Sequence, residues 1–69
     1  MTGPRASGRV KWYDERRGYG FIVIDGGGDV FVHRSGLAEG VVLLDREQAV
    51  EFDIVQGRKG NQASEVRPV

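Results

Sequence analysis

From Tyr19 to His33, aliphatic positions recur at every second residue, the period of a strand with one buried face. In Tyr19-Gly20-Phe21-Ile22-Val23-Ile24 this sets Tyr19 and Phe21 on one face and Ile22 and Ile24 on the other. In Asp29-Val30-Phe31-Val32-His33 it groups Val30 with Val32 and places Phe31 with His33 opposite them. Arg9 to Asp14 reads as a preceding strand, since Val, Trp and Tyr all favour extended backbone. The polar run Asp14-Glu15-Arg16-Arg17-Gly18 and the stretch Asp25-Gly26-Gly27-Gly28 are the turns between them, so the first three strands form an antiparallel meander. Ser35-Gly36-Leu37-Ala38 fits one helical turn with Ser35 as its cap. A loop then runs to about Leu44, whose side chain is expected to plug the core. Alternation returns with Val50, Phe52 and Ile54 inward against Glu51 and Asp53, a fourth strand, and Gln62 to Arg67 supplies a fifth. Glycine fills 11 of 69 positions, which suits many turns and excludes long helices. Five short strands in so few residues predict an all-β fold, a small antiparallel barrel whose closure removes exposed edges. Residues 1–7 lack periodicity and are expected to be a flexible tail, leaving 8–69 as the domain.

The two faces of this sheet differ in kind. Ile22, Ile24, Val30, Val32, Val50 and Ile54 already make a coherent core, and inverting the sheet would expose all of them. Tyr19, Phe21, Phe31 and His33 are thereby left facing water. Lys11, Arg16, Arg17 and Arg34 flank them. Rings interleaved with cations are suited to stacking nucleobases while phosphates are held electrostatically. Trp12 fits this face less simply. Strict alternation puts it inward with Val10, and only a bulge in the first strand would bring it among the rings. Gly18 and Gly20, between the aromatics, either admit a close backbone or ligand or serve the curvature of the barrel. His33 is the single histidine; beside Phe31 it is placed to stack on or hydrogen-bond a base. The turn Arg58-Lys59 matters only if the fold carries it beside the rings.

Length and composition narrow the function classes. A 69-residue chain is one domain. It buries roughly 60% of its unfolded surface, too little core for a deep catalytic pocket. The absence of cysteine excludes disulfides, thiolate zinc sites and thiol catalysis. One histidine without a partner offers no metal site, and no cofactor is expected. Asp14-Glu15 reads as a solvated turn and not as an acid–base pair. No apolar run approaches the ~18 residues of a membrane span, nor does the amino end resemble a signal peptide, so a cytoplasmic protein is expected. Ten basic and ten acidic residues balance overall. Residues 1–34, however, carry a balance of +2 and residues 35–69 one of −2, compatible with a cationic face on a neutral body.

Residues 8–22 (Gly-Arg-Val-Lys-Trp-Tyr-Asp-Glu-Arg-Arg-Gly-Tyr-Gly-Phe-Ile) resemble the opening strand and first ribonucleoprotein-type motif of the cold-shock domain. Asp29-Val30-Phe31-Val32-His33-Arg34-Ser35 resembles the second, at matching spacing, and similarity continues more loosely to Val66. The resemblance implies a five-stranded oligonucleotide-binding (OB-fold) barrel. It also implies binding of single-stranded RNA and DNA, RNA-chaperone activity that melts secondary structure, and influence on transcription or translation. It places Trp12 on the ring surface. Carried over by position, the binding set is Lys11, Trp12, Arg17, Tyr19, Phe21, Phe31 and His33, with Lys59 in the last turn. Arg34 stands where bacterial members commonly have Phe, adding a phosphate partner that can also stack. Asp14 replaces a usual Asn, and the loop near Val41 lacks an aromatic. A monomer is expected, with exchange of strands between two copies the open alternative. The other functional class compatible with exposed rings is a protein-interaction module that uses the same patch as a hot-spot surface.

Overall fold

The computed structural model describes residues 6–57 and 60–69. Five strands, β1 (Ala6–Asp14), β2 (Tyr19–Ile24), β3 (Asp29–His33), β4 (Ala49–Gly57) and β5 (Gly60–Pro68), close into a barrel in the order β1-β2-β3-β5-β4. β1 begins at Ala6, two residues before the boundary expected at Gly8. Met1 to Arg5 and the Arg58-Lys59 turn lie outside the described residues. The seams are antiparallel except β3–β5, where Phe31 and Val32 pair with Gln62 and Ala63 in parallel. The expected five-stranded barrel is present, and its single parallel seam has an arithmetic cause. Up-and-down alternation around an odd number of strands cannot close without one parallel seam.

Inside lie Val10, Ile22, Val30, Val32, Leu44, Val50, Phe52, Ala63 and Val66, with Tyr13, Ile24, Leu37 and Val41 packed against their margin. Leu44 is the plug that its apolar run predicts. Two bulges let this core assemble from strands whose alternation would otherwise fail. In β1, Val10 pairs with Ile22 and Trp12 with Phe21, so Lys11 is the extra residue and Trp12 turns outward. In β5, two residues (Glu65 and Val66) oppose Phe52 alone, since Glu51 pairs with Arg67 and Asp53 with Ser64. Glu65 takes the left-handed φ of 55° that absorbs the extra residue. Ala63 and Val66 therefore both point inward although three residues apart.

Ile54, expected inside with Val50 and Phe52, is 44% exposed. β1 pairs with β4 from Arg9–Ala49 only as far as Ala6–Phe52. Beyond Phe52, β4 runs with β5 as a two-stranded ribbon among the described residues, so the inner side of that ribbon has no sheet to cover it. The helical turn is a 3-10 turn at Arg34–Gly36, and its cap is His33 rather than Ser35. The His33 imidazole accepts from the Ser35 N–H at 3.1 Å, two residues on, as a cap side chain does.

Candidate nucleic-acid interface

Register sets the outward side chains of β1, β2 and β3 in rows. Trp12 pairs with Phe21 and Phe21 with Phe31; in the next row Asp14 pairs with Tyr19 and Tyr19 with His33. Beneath them Gly20, Ile22, Val30 and Val32 are buried, so each ring stands on a filled core. The four rings close a cycle. Centroids are 5.5 Å apart for Trp12–Phe21, 5.7 Å for Phe21–Phe31, 5.9 Å for Tyr19–Phe31 and 5.6 Å for Trp12–Tyr19. Edge-to-face and tilted pairs at such separations attract one another by ~0.5–1.5 kcal/mol each. The rings thus hold each other in place before any ligand arrives, and their outward parts remain open. Trp12 is 36% exposed and Tyr19, Phe21 and Phe31 are half-buried. Phe52 is sealed in the core, and Tyr13 turns to the other side of β1, where burial pushes its phenol above the usual range, partly countered by Arg34.

The glycines between the rings serve the backbone. Gly20 lies on the inner face, and a Cβ there would collide with the main chain of Trp12 and Tyr13. Gly18 adopts φ +77°, and the Arg34 side chain lies directly against it. Both glycines are buried: the close approach at Gly20 is between β1 and β2, and that at Gly18 is to the Arg34 side chain.

The cations stand in three situations. The bulged Lys11 reaches Asp29 at 3.1 Å. Arg17 donates to the Tyr19 hydroxyl at 3.4 Å and sits 3.7 Å from the Asp14 carboxylate, which keeps it at the Tyr19 corner of the cycle. Arg34 is exposed, but its stem packs on Gly18 and its charge is felt at Tyr13, beside the ring cycle rather than over it. Lys59 falls outside the described residues. His33 sits half-buried beside Tyr19. Its Nδ1 accepts from the Ser35 N–H and lies 2.9 Å from the Ser35 hydroxyl. An Nδ1 that accepts leaves the proton of the neutral ring on Nε2.

Asp14 does not aim a bare charge at the rings. Its Oδ1 accepts the N–H groups of Arg16 at 2.9 Å and Arg17 at 3.1 Å, closing the β1–β2 turn. Asp14→Ala should therefore lower stability by about 1 kcal/mol, as loss of a capping side chain does. Asp14→Asn, which keeps the acceptor, should cost clearly less. Urea unfolding distinguishes the two, and equal losses would show that the carboxylate charge, not its acceptor geometry, holds the turn.

One neighbour of the rings is invisible to local sequence reasoning. Gln62 pairs with Phe31 across the parallel seam and extends the Trp12–Phe21–Phe31 row by a polar amide. The signal for it is topological, since nothing within the fifth strand says which strand it will lie beside.

Residues 6–69 match the sequence model of the 'Cold-shock' DNA-binding domain. Among curated proteins, the chain is 54% identical over 63 residues to a cold shock-like protein of Thermotoga maritima, covering 90% of this chain and 96% of that one. It is likewise 54% identical over 65 residues to the cold shock protein ScoF of Streptomyces coelicolor, covering 91% and 97%. A solved structure of Drosophila Unr CSD456 superposes with a TM-score of 0.78 at 22% identity over 96% of this chain, which spans 27% of that larger one. At that identity the likeness establishes the barrel fold.

Proposed function

Since the chain belongs to the cold-shock DNA-binding domain family, we propose that its ring cycle binds single-stranded RNA and DNA by stacking unpaired bases on Trp12, Tyr19, Phe21 and Phe31. The observation that carries this reading is the cycle itself: four contiguous aromatic rings on the outer face of a sheet whose inner face is already filled by aliphatic residues. Each stacked base contributes ~1–3 kcal/mol and any base offers a face to stack, so affinity comes with modest sequence preference. Lys11, Arg17, Arg34 and Lys59 track the phosphates, and His33 offers its Nε2 proton to a base edge. Bases held on rings are withdrawn from pairing, so RNA secondary structure melts passively without nucleotide hydrolysis. The protein acts in this reading as a cytoplasmic RNA chaperone able to influence transcription or translation, as a monomer and without enzymatic activity.

Trp12 is the lone tryptophan and belongs to the cycle. Oligothymidine should quench its fluorescence saturably, and the affinity should fall with salt at a log–log slope of about −0.7 per phosphate neutralised. Fluorescence unmoved by oligothymidine would hand the same rings to the alternative function, recognition of a protein partner.

A further inference from the structure

Past the Trp12–Phe21–Phe31 row, the outward face of the sheet continues with charge instead of rings. Arg9 pairs with Val23 and Val23 with Asp29, and the bulged Lys11 reaches Asp29. The segment before β4 folds against β1 at the same level. The Val10 N–H donates to the Gln48 carbonyl at 3.0 Å and the Glu47 N–H to the Val10 carbonyl at 2.6 Å. Between that segment and the sheet lies an open groove of about 370 Å³, lined by Arg9, Lys11, Arg46, Asp25 and Glu47, with Val23 among its apolar lining. Val23 is 42% exposed.

The charges here are unequally matched. Lys11 is paired with Asp29 at 3.1 Å, and the Asp25 carboxylate accepts from the Ser7 hydroxyl at 2.9 Å. Arg9 reaches only the main-chain carbonyl of Glu47, at 3.5 Å. Among the described residues Arg46 makes no ion pair or side-chain hydrogen bond. Two guanidinium groups with open donors thus line a groove that includes Lys11, the residue before Trp12 in β1. A planar fork of donors pairs bidentately with phosphate or carboxylate oxygens, and on the single-strand reading of the adjoining rings the anion at hand is a phosphate. Three cations against the Asp25 and Glu47 carboxylates in the same lining leave an excess of one positive charge, which suits a single phosphate and not a run of them.

We propose that this groove is a further nucleotide subsite, continuous with the ring cycle, in which Arg9 and Arg46 hold the phosphate of the nucleotide beyond the one stacked on Trp12, while its base covers Val23. The proposal rests on the single-strand reading of the rings and adds to it a direction in which a bound strand continues: across Lys11, away from His33.

The test compares wild type, Arg46→Ala and the double variant Arg9→Ala/Arg46→Ala by Trp12 quenching with oligothymidines of about four and about eight nucleotides. The short oligomer occupies the rings and should bind all three proteins within about twofold of one another. With the longer one, the double variant should lose about fivefold in affinity, and its salt slope should become shallower by about 0.7. Arg46→Ala alone should show part of the loss; because Arg46 anchors no described residue, it serves if the double variant fails to fold. Equal losses on both lengths would assign the arginines to the long-range field only, and no loss on either would empty the groove; both outcomes overturn the subsite while leaving the rings intact. Failure of wild type to respond to either oligomer would instead bring down the single-strand reading and the subsite with it.

Discussion

Phe31→Ala is expected to weaken binding of a short oligothymidine by roughly 1–3 kcal/mol, the contribution of one base–aromatic stack. The same substitution should leave a folded protein. Phe31 occupies the outer face, half-buried, with its ring against those of Tyr19 and Phe21 and nothing of the core resting on it. What folding loses is ring–ring contact, ~0.5–1.5 kcal/mol per pair. In a domain of this size each kcal/mol corresponds to a fall of about 4–8 °C in thermal midpoint. Phe52 provides the contrast: it is wholly enclosed, and truncating a buried Phe costs ~3–5 kcal/mol. Calorimetry of the two variants, beside a fluorescence titration of Phe31→Ala, separates ring surface from core. A Phe31→Ala protein that unfolds as Phe52→Ala does would mean that the sheet is oriented the other way.

Gly20→Ala is expected to damage the fold more than any substitution of a ring. The added methyl points to the inner face and meets the carbonyl of Trp12 and the backbone of Tyr13, atoms that cannot rotate away. Overpacking of this kind costs ~1–3 kcal/mol where side chains can yield, and more where they cannot. A barrel this small has only about 3–5 kcal/mol to lose. Most of the Gly20→Ala protein should therefore be unfolded at room temperature in water, visible as lost far-ultraviolet strand signal and a urea transition shifted to near zero. An unchanged transition would show that β1 and β2 stand further apart at this point than the register of Tyr13 with Gly20 implies.

Strand periodicity made β2, β3 and the inward set Ile22, Val30, Val32, Val50 and Phe52 legible in the sequence, because each of these stretches keeps one alternation from end to end. Where a strand changes alternation midway, the pattern misleads. Trp12 reads as inward until Lys11 is recognised as a bulge, and the family motif, not the period, places it among the rings. Val66 is out of phase with Ala63 for the same reason, and only the left-handed Glu65 reconciles them. Ile54 keeps perfect phase with Phe52 but lies past Ala6–Phe52, the last β1–β4 pair among the described residues. The parallel seam that brings Gln62 beside Phe31 is a property of closing five strands. Among the cations, the Arg34 stem packs on Gly18, a contact that its position next to His33 in the chain does not announce.

The central claim is that unpaired bases rest on the outward rings of β1, β2 and β3. Nuclear Overhauser contacts between an oligothymidine and the isotope-labelled protein test it most directly. Base protons should show contacts to the rings of Trp12, Tyr19, Phe21 and Phe31, with the methyl groups of Ile22, Val30 and Val32 silent beneath them. Contacts confined to exposed apolar residues away from the rings, such as Val42, Leu43, Ile54 and Val55, with all four rings unperturbed, would contradict it.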